Sequence, residues 1–275
     1  MKIESFAVVG HPISHTMSPF IHKVLFSLSG FSPKYDVLDI ADLKESKDIL
    51  KKYDGLNVTI PHKSGIIELL SEIDETAERY FSVNTVKTEN GKMHGFTTDG
   101  AGALEAIGNA GGNFLSNTLI IGNGGASRAI AFELQKYNGK ITLAGRDIKK
   151  AQVLADELKN AKAVLISDIE NSDEKFDLLI NATSVGMYPK SDATVVSENV
   201  VKRCETVFDA VYNPHETVLL KTAKSLGKNC VHGMDMLVYQ AVVAHKIWYG
   251  AKFERKDILK LIDDASKACA EKFRN

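Results

Sequence analysis

The chain has 275 residues, 44% of them hydrophobic and 25% charged, which are ordinary fractions for a globular protein and exclude disordered, collagen-like and coiled-coil chains. At roughly 150 residues per domain, this length predicts two domains. With 34 basic and 35 acidic residues the formal net charge is −1, so the chain has no overall positive field that would attract nucleic acid or an anionic membrane.

Cysteine usage and the N-terminal segment indicate the compartment. Three cysteines, none of them in a CxxC pair, are too few for a disulfide framework and favour a reducing environment. The N-terminal apolar run is short and is followed at once by His11 and Pro12, so it predicts a buried strand and not a signal peptide. We see no run of about 18 apolar residues that would span a membrane. We therefore expect a cytoplasmic protein.

The first part of the chain alternates short Val- and Ile-rich runs with amphipathic stretches. The predicted elements are, in chain order, strand 6–10, helix 18–28, strand 35–40, helix 42–51, strand 56–60, helix 62–70 and strands 84–88 and 92–97. Ser18 is predicted as the N-cap of the first helix, with Pro19 at its first helical position. Asn90 and Gly91 form a strong hairpin signal. The repeated strand–helix order favours a mainly parallel sheet covered by helices.

A second series of alternating strands and helices follows. Its predicted elements are, in chain order, strand 118–121, helix 126–137, strand 140–144, helix 147–158, strands 163–166, 176–181 and 206–209, and helices 234–249 and 256–272. The boundary between the two series is placed near 99–112 because the motifs change there, although no linker composition marks it.

A glycine-rich turn, Gly122 to Gly125, connects the apolar strand 118–121 to the following helix. Glycines let the backbone approach a pyrophosphate closely, and a helix N-terminus offers free N–H groups and the positive end of its dipole. Ser127 stands where the GxGxxG pattern has its third glycine, and so small a residue still permits helix–strand packing. The context predicts a dinucleotide site, although a tight turn without a ligand has the same pattern.

The tip of the next strand indicates which dinucleotide is bound. Gly145 occupies the place where NAD sites usually have Asp or Glu, and Arg146 suits a 2′-phosphate. Lys149 and Lys150 follow. Asp147 argues against this assignment if its charge faces the pocket, and a solvated surface charge is the alternative for Arg146. The segment predicts NADP, with NAD as the alternative.

Polar residues also follow the strands of the first part. Hydroxyls at Ser14, Thr16 and Ser18 suit a small carboxylate, although Ser18 as a simple N-cap is the alternative. His11 and His15 are four residues apart, but Pro12 and the loop do not support a metal-binding helix face, and we expect no metal.

Further polar groups stand at 63, 84 and 99. A lysine such as Lys63 at the mouth of a sheet is able to act as an acid or a base, although most lysines are simply solvated. Asn84 and Asp99 also lie at predicted strand ends, where open α/β sheets bind their ligands.

Taken together, these segments resemble the shikimate dehydrogenase family. The resemblance covers essentially the whole chain, in the order GHPISHTMSP, NVTIPHK, NTV, TTDGAG, GNGGASRA, NATSVGM, DAVYNPHET and GMDMLVYQ. It implies an α/β fold with an N-terminal α/β substrate domain (residues 1–100 plus about 238–275), a Rossmann-like NADP-binding domain (101–237) and a cleft between them. It also implies the reversible NADPH-dependent reduction of 3-dehydroshikimate to shikimate, in the pathway to chorismate and the aromatic amino acids.

The resemblance also assigns roles to individual residues. Lys63 and Asp99 match the catalytic pair around the reacting C3 oxygen, and the sequence leaves open which of them is the formal acid. The residues that match substrate contacts are Thr16, Ser18, Thr59, Asn84, Tyr212 and Gln240. The residues that match cofactor contacts are Gly122, Gly124, Gly125, Ala126, Ser127, Arg146, Lys150, Asn181, Thr183, Met187 and Met234.

Departures from the family pattern keep two alternatives open. Thr16 replaces the usual Ser and adds a methyl group, which bears on the choice between shikimate and quinate, while Gly145 and Asp147 bear on the cofactor. The alternatives are a quinate/shikimate dehydrogenase that uses NAD and a non-catalytic dinucleotide-binding regulatory module. The presence of both Lys63 and Asp99 favours the enzyme. We expect a small-molecule substrate as its partner, and either a monomer or a homodimer.

Overall fold

A computed structural model describes residues 4–13, 16–114, 117–137 and 139–272. By packing, the chain divides into two compact units, Met1–Thr98 with Gln240–Ala265 and Asp99–Tyr239 with Ser266–Asn275. The substrate and cofactor domains defined above are assignments of function, and their boundaries stay a prediction.

The first unit is built on a mixed sheet. Its elements, in chain order, are β1 (Ser5–Gly10), α1 (Ser18–Leu28), β2 (Lys34–Asp39), α2 (Lys47–Leu50), β3 (Gly55–Val58), β4 (Glu72–Ile73), α3 (Glu75–Tyr80), β5 (Thr85–Glu89) and β6 (Lys92–Phe96). The strand order is β2-β1-β3-β5-β6-β4. Strand β1 is parallel to β2 and β3, whereas β5 is antiparallel to β3 and β6. The chain reverses direction between β5 and β6 at Asn90 and Gly91. Their φ angles are 53° and 75°, and asparagine and glycine adopt such positive values more easily than other residues.

Two of the short helices predicted in this unit contain 3₁₀ turns. The predicted helix 42–51 is a 3₁₀ turn at Lys44–Ser46 followed by α2, and the predicted helix 62–70 contains a 3₁₀ turn at Gly65–Leu69. In the second turn the buried apolar residues Ile66 and Leu69 are three positions apart, which matches the three residues per turn of a 3₁₀ helix. Helix α3 and the short β4 are additions to the prediction.

The second unit is built on a sheet whose described strands all pair in parallel, in the order β12-β11-β10-β7-β8-β9. Its elements, in chain order, are α4 (Asp99–Asn109), β7 (Asn117–Ile121), α5 (Gly125–Leu134), β8 (Lys140–Gly145), α6 (Ile148–Asp156), β9 (Ala161–Leu165), α7 (Ile166–Glu170), β10 (Phe176–Asn181), α8 (Glu198–Lys202), β11 (Cys204–Asp209), α9 (Val218–Ser225) and β12 (Asn229–Val231). Leu119, Leu179 and Val207 of the central strands are completely buried, as expected for strands covered on both faces.

Two long helices complete the chain. Helix α10 (Gly233–Tyr249) begins in the second unit and continues into the first, and α11 (Arg255–Lys272) begins in the first and ends in the second. None of the helices formed by the described residues combines the length and the apolar character needed to cross a membrane. The α/β fold class predicted from the sequence is confirmed.

Candidate active site

One edge of the first sheet collects the polar segments of that unit. Because β1 and β3 are parallel, their carboxyl ends lie at the same edge, and the antiparallel β5 begins there while β6 ends there. Thr59 follows β3, and its N–H donates to Val9 O over 2.9 Å. Asn84 directly precedes β5, and its carbonyl accepts from Val58 N over 2.8 Å. The topology therefore brings together residues that are far apart in sequence.

A buried hydrogen-bond network lies at this edge. Asn84 Nδ2 donates to Thr98 Oγ1 over 2.9 Å and to Gln240 Oε1 over 3.2 Å, while Thr98 N donates to Asn84 Oδ1 over 2.8 Å. The three residues are between 0% and 8% exposed. Asn84 and Gln240, both predicted substrate contacts, are thus connected to each other and to Thr98, which the residue-by-residue assignment missed.

Lys63 is anchored next to this network. Its carbonyl oxygen accepts from Val83 N over 2.8 Å, and Val83 is the residue before Asn84. The side chain of Lys63 is half-buried. Asp99 is 5% exposed and is the first residue of α4. Because it belongs to the second unit, its pairing with Lys63 stays a prediction.

The hydroxyls before α1 are used differently from the N-cap prediction. The N-cap is Met17, and Ser18 is the first helical residue. Thr16 Oγ1 accepts from Ser18 N over 3.1 Å, so the hydroxyl of Thr16 satisfies an early N–H of the helix. Because Ser18 already belongs to the helix, its side chain is not in the N-cap position. Ser14 and His15 lie outside the described residues.

The side chain of Tyr35 connects β2 to β3. Its hydroxyl donates to Asn57 Oδ1 over 2.7 Å. Burial holds the pKa of Tyr35 well above its usual value, so the phenol stays protonated at neutral pH.

The glycine-rich turn of the second unit fits a phosphate. Gly122 has φ 115°, and a Cβ there would lie 2.9 Å from Thr183 Cγ2, so only glycine is accommodated. Gly124, the N-cap of α5, is exposed, and among the described residues no side chain caps this helix. Ser127 is fully buried and donates to Gly122 O over 2.6 Å. Its hydroxyl therefore supports the turn from within, and the exposed helix N-terminus is left for an anion.

The residues predicted to bind the 2′-phosphate follow β8. Arg146 and Lys150 are exposed. Asp147 is the N-cap of α6, and its Oδ1 accepts from Lys149 N over 3.0 Å and from Lys150 N over 3.4 Å. The carboxylate that argued against a phosphate is thus engaged at the start of its own helix, where the dipole stabilises it.

The other residues predicted to bind the cofactor differ in exposure. Met187 is 43% exposed, whereas Asn181 is 1% exposed and Met234 is completely buried. Asn181 Oδ1 accepts from Thr183 N over 3.0 Å and from Thr183 Oγ1 over 2.7 Å, so Asn181 shapes the loop that follows β10. Contact between Met234 and a cofactor would require that side chain to be uncovered first. Ala126 is half-buried in the first turn of α5.

Tyr212 lies in the loop that follows β11. It is half-buried, and burial raises the pKa of its hydroxyl to about 12. Its carbonyl oxygen accepts from Cys269 Sγ over 3.8 Å. Its predicted contact with the substrate stays a prediction. Within the part of the chain that the structure describes, no group of three or more His, Cys, Asp or Glu side chains is placed to hold a metal ion.

Comparison with known families gives two matches along the chain. The model of the shikimate dehydrogenase substrate binding domain matches residues 8–86, and the shikimate / quinate 5-dehydrogenase model matches residues 110–218. The shikimate dehydrogenase (NADP(+)) of Methanococcus maripaludis strain C6 is 40% identical over 262 residues, which cover 91% of this chain and 93% of the relative.

Solved structures extend this similarity to the whole fold. Shikimate 5-dehydrogenase from Thermus thermophilus, in complex with NADP(H) and shikimate, has a TM-score of 0.86 at 30% identity and covers 95% of this chain and 99% of that chain. Quinate dehydrogenase from Corynebacterium glutamicum, in complex with NAD, has a TM-score of 0.84 at 28% identity and covers 94% of this chain and 97% of that chain.

Proposed function

The chain belongs to the shikimate dehydrogenase family, and on that premise we propose that it catalyses the reversible NADP-dependent reduction of 3-dehydroshikimate to shikimate. The observation that carries this function is the buried network of Asn84, Thr98 and Gln240 at one edge of the first sheet. The network fixes the orientations of the amides of Asn84 and Gln240, and an oriented amide is suited to a polyhydroxylated ring because the amide group carries both donors and acceptors.

We propose that the substrate is held by the residues of this edge together with Tyr212. Thr16 and Ser18 bind the carboxylate, because their hydroxyls stand at the start of α1, where the helix dipole favours negative charge. Thr59, Asn84 and Gln240 bind ring hydroxyls. The half-buried position of Tyr212 in the loop after β11 is compatible with a contact on the carboxylate side.

Lys63 and Asp99 are proposed as the catalytic pair. The bound nicotinamide supplies or accepts the hydride. In the reducing direction negative charge develops on the C3 oxygen, and the ammonium of Lys63 stabilises that charge and supplies a proton to the oxygen. Asp99 keeps the ammonium and the substrate oxygen in line. The half-buried position of Lys63 strengthens these interactions, because less water screens them.

We propose that NADP(H) is held by the glycine-rich turn and the tip of β8. The pyrophosphate site is formed by Gly122, Gly124, Gly125, Ala126 and the N–H of Ser127. The N-terminus of α5 suits this role because it is exposed and, among the described residues, no side chain caps it. Arg146 and Lys150 take the 2′-phosphate. Thr183 and Met187 contribute from the loop after β10.

The decisive experiment measures oxidation of NADPH in the presence of 3-dehydroshikimate. Shikimate and quinate are then compared as substrates, each with NADP and with NAD. The proposed function predicts the highest kcat/KM with shikimate and NADP. Quinate as the better substrate would favour the alternative suggested by Thr16 and by the similar quinate dehydrogenase. Intact cofactor binding without turnover would indicate a regulatory module.

We also propose that the enzyme works in the cytoplasm as a monomer or a homodimer. Cys204, Cys230 and Cys269 are free thiols, which agrees with a reducing compartment. Light scattering coupled to size-exclusion chromatography distinguishes the two oligomeric states, and a larger assembly would contradict the proposal.

A further inference from the structure

Asp209 is a buried carboxylate at the end of β11, and the mechanism above does not use it. It is 1% exposed and pairs in register with Asn181 at the end of β10. Asp209 Oδ1 accepts from Asn181 Nδ2 over 2.9 Å and from Val211 N over 3.0 Å, and Oδ2 accepts from Thr217 Oγ1 over 2.7 Å. One side chain thus binds a strand end and two points of the loop that follows its own strand.

The first branch of this network reaches the loop after β10. Asn181 Nδ2 also donates to Val185 O over 3.2 Å, and Thr183 Oγ1 accepts from Val185 N over 3.1 Å. Thr183 is also the residue whose methyl group leaves no room for a side chain at Gly122. Asn181 and Thr183 therefore fix the positions of the glycine-rich turn, the loop after β10 and Asp209 relative to one another.

The second branch controls the loop after β11 and the start of α9. Thr217 is the N-cap of α9, and its Oγ1 accepts from Leu220 N over 3.3 Å. The two loops also meet directly, because Tyr188 N donates to Asn213 O over 3.0 Å. A change at Asp209 is therefore transmitted to both loops.

The side-chain chemistry of Asp209 is not explained by packing alone. Burial raises the pKa of its carboxyl to about 6, although the hydrogen bonds from Thr217, Val211 and Asn181 lower it. A buried ionised group costs free energy, and an apolar side chain at a buried strand end would avoid that cost. A carboxylate has only acceptor oxygens, which suits a position approached by donors from three directions.

We propose that Asp209 is a positioning residue for the cofactor site. It holds the loops after β10 and β11 in fixed positions relative to the glycine-rich turn. Asp209 is 1% exposed, so its side chain presents almost no surface that a cofactor could contact. Its effect on affinity is exerted through Asn181, Thr183 and Val211. The identity of the ligand as NADP(H) rests on the proposed function, whereas the role of Asp209 in holding the loops in position does not.

The test compares three variants by calorimetric titration with NADP+ and by thermal unfolding. Asp209→Ala removes all the acceptors and is expected to raise the Kd for NADP+ about tenfold or more, since each hydrogen bond to a charged group contributes on that scale. Asp209→Asn keeps the shape and one acceptor oxygen, so its Kd stays within about threefold of wild type. Val207→Ala, on the same strand and fully buried, lowers the Tm without changing the Kd.

Hydrogen exchange of the cofactor-free protein provides a second readout. The amides of Thr183, Val185 and Val211 are expected to exchange faster in Asp209→Ala than in Val207→Ala. The two variants are compared at matched thermal stability, so that global unfolding contributes equally to both exchange rates. If Asp209→Ala does not fold, Thr217→Val removes one donor from the carboxylate and is expected to weaken NADP+ binding and speed exchange at Val211.

The outcomes separate the two proposals. Wild-type affinity for NADP+ in Asp209→Ala, or an equal loss of affinity in Val207→Ala, would overturn the positioning role. Failure of the wild-type protein to bind NADP+ would instead contradict the proposed function, and the exchange rates of the loop amides would still decide whether Asp209 holds them.

Discussion

Asn84 and Thr98 are joined through both ends of one amide group: Thr98 N donates to Asn84 Oδ1 over 2.8 Å, and Asn84 Nδ2 donates to Thr98 Oγ1 over 2.9 Å. A backbone N–H is always a donor, so it fixes which end of the amide is the oxygen. The Nδ2 atom is then committed to Thr98 and Gln240. The orientation of a predicted substrate-binding side chain is thus set by a residue that the family resemblance did not assign.

Thr98→Val should weaken substrate binding while leaving the shape of the edge unchanged. The variant removes the hydroxyl that accepts from Asn84 and lies 3.2 Å from Gln240 Oε1. We expect the KM for shikimate to rise about three- to tenfold, on the scale of one lost hydrogen bond, with little change in the KM for NADP. Steady-state kinetics measure both constants. Thr142→Val, a buried threonine of β8, is the matched control, and an equal effect there would refute a local role.

Lys63→Ala should reduce turnover far more than substrate affinity. The charge of Lys63 is needed most when negative charge develops on the substrate oxygen, so its loss acts on the transition state. We expect kcat to fall about 10²- to 10³-fold, with a change in KM of only a few fold. Lys23→Ala, an exposed lysine of α1, serves as the control. A large rise in KM with unchanged kcat would show that Lys63 only binds the substrate.

Gly122→Ala should impair cofactor binding as well as stability. The residue has φ 115° and lacks room for a Cβ next to Thr183. The matched control is Gly227→Ala, where φ is 68° and, apart from the residue itself and its two chain neighbours, no described atom lies within 4 Å of the added Cβ. We expect both variants to lose about 1–2 kcal/mol of stability or more through backbone strain, but only Gly122→Ala to weaken NADP+ in a binding titration. Equal affinities in the two variants would contradict the turn's role.

Arg146→Ala should discriminate between the two nicotinamide cofactors. Arg146 is exposed after β8, where we propose that it binds the 2′-phosphate. We expect the KM for NADPH to rise roughly 10- to 100-fold, as for a lost charge-assisted contact, and the KM for NADH to stay constant. Lys202→Ala removes an exposed cation of α8 and controls for net charge. Equal KM values for NADPH and NADH in the wild-type enzyme would eliminate the phosphate argument.

His245 should contribute to acid instability. Its Nε2 atom lies 2.9 Å from Nδ1 of His22 in a buried contact, and burial lowers the pKa of His245 to about 3. The unfolded chain, with a histidine pKa of about 6.5, then binds protons that the folded chain does not, so stability falls as the pH falls below that value. His245→Gln should make this loss shallower by up to about 1.4 kcal/mol per pH unit between pH 6 and 4. Urea unfolding at stepped pH measures the slope, and parallel curves for variant and wild type would exclude this contribution.

Local patterns were sufficient where the physics is local. The hairpin at Asn90 and Gly91 and the bounds of α1 and β10 follow from turn chemistry and from runs of apolar residues, which act over a few neighbouring positions. The predicted helices 42–51 and 62–70 were wrong in detail, because their short spans are limited by the strands that they connect. Helix propensity favours a helix in such a segment, but the positions of the two strands that it connects decide its geometry.

The amino-acid sequence by itself determined the α/β fold class, the glycine-rich turn and the family to which the chain belongs, because each is written in contiguous motifs. Only the tertiary structure decided which hydrogen-bond partners the polar side chains take. Asn84 is bound to Gln240, 156 residues away, and Asp209 is bound to Asn181, 28 residues away. The reason is physical: a buried donor or acceptor must find a partner, and the neighbours available to it are set by the pairing of strands and not by distance along the chain.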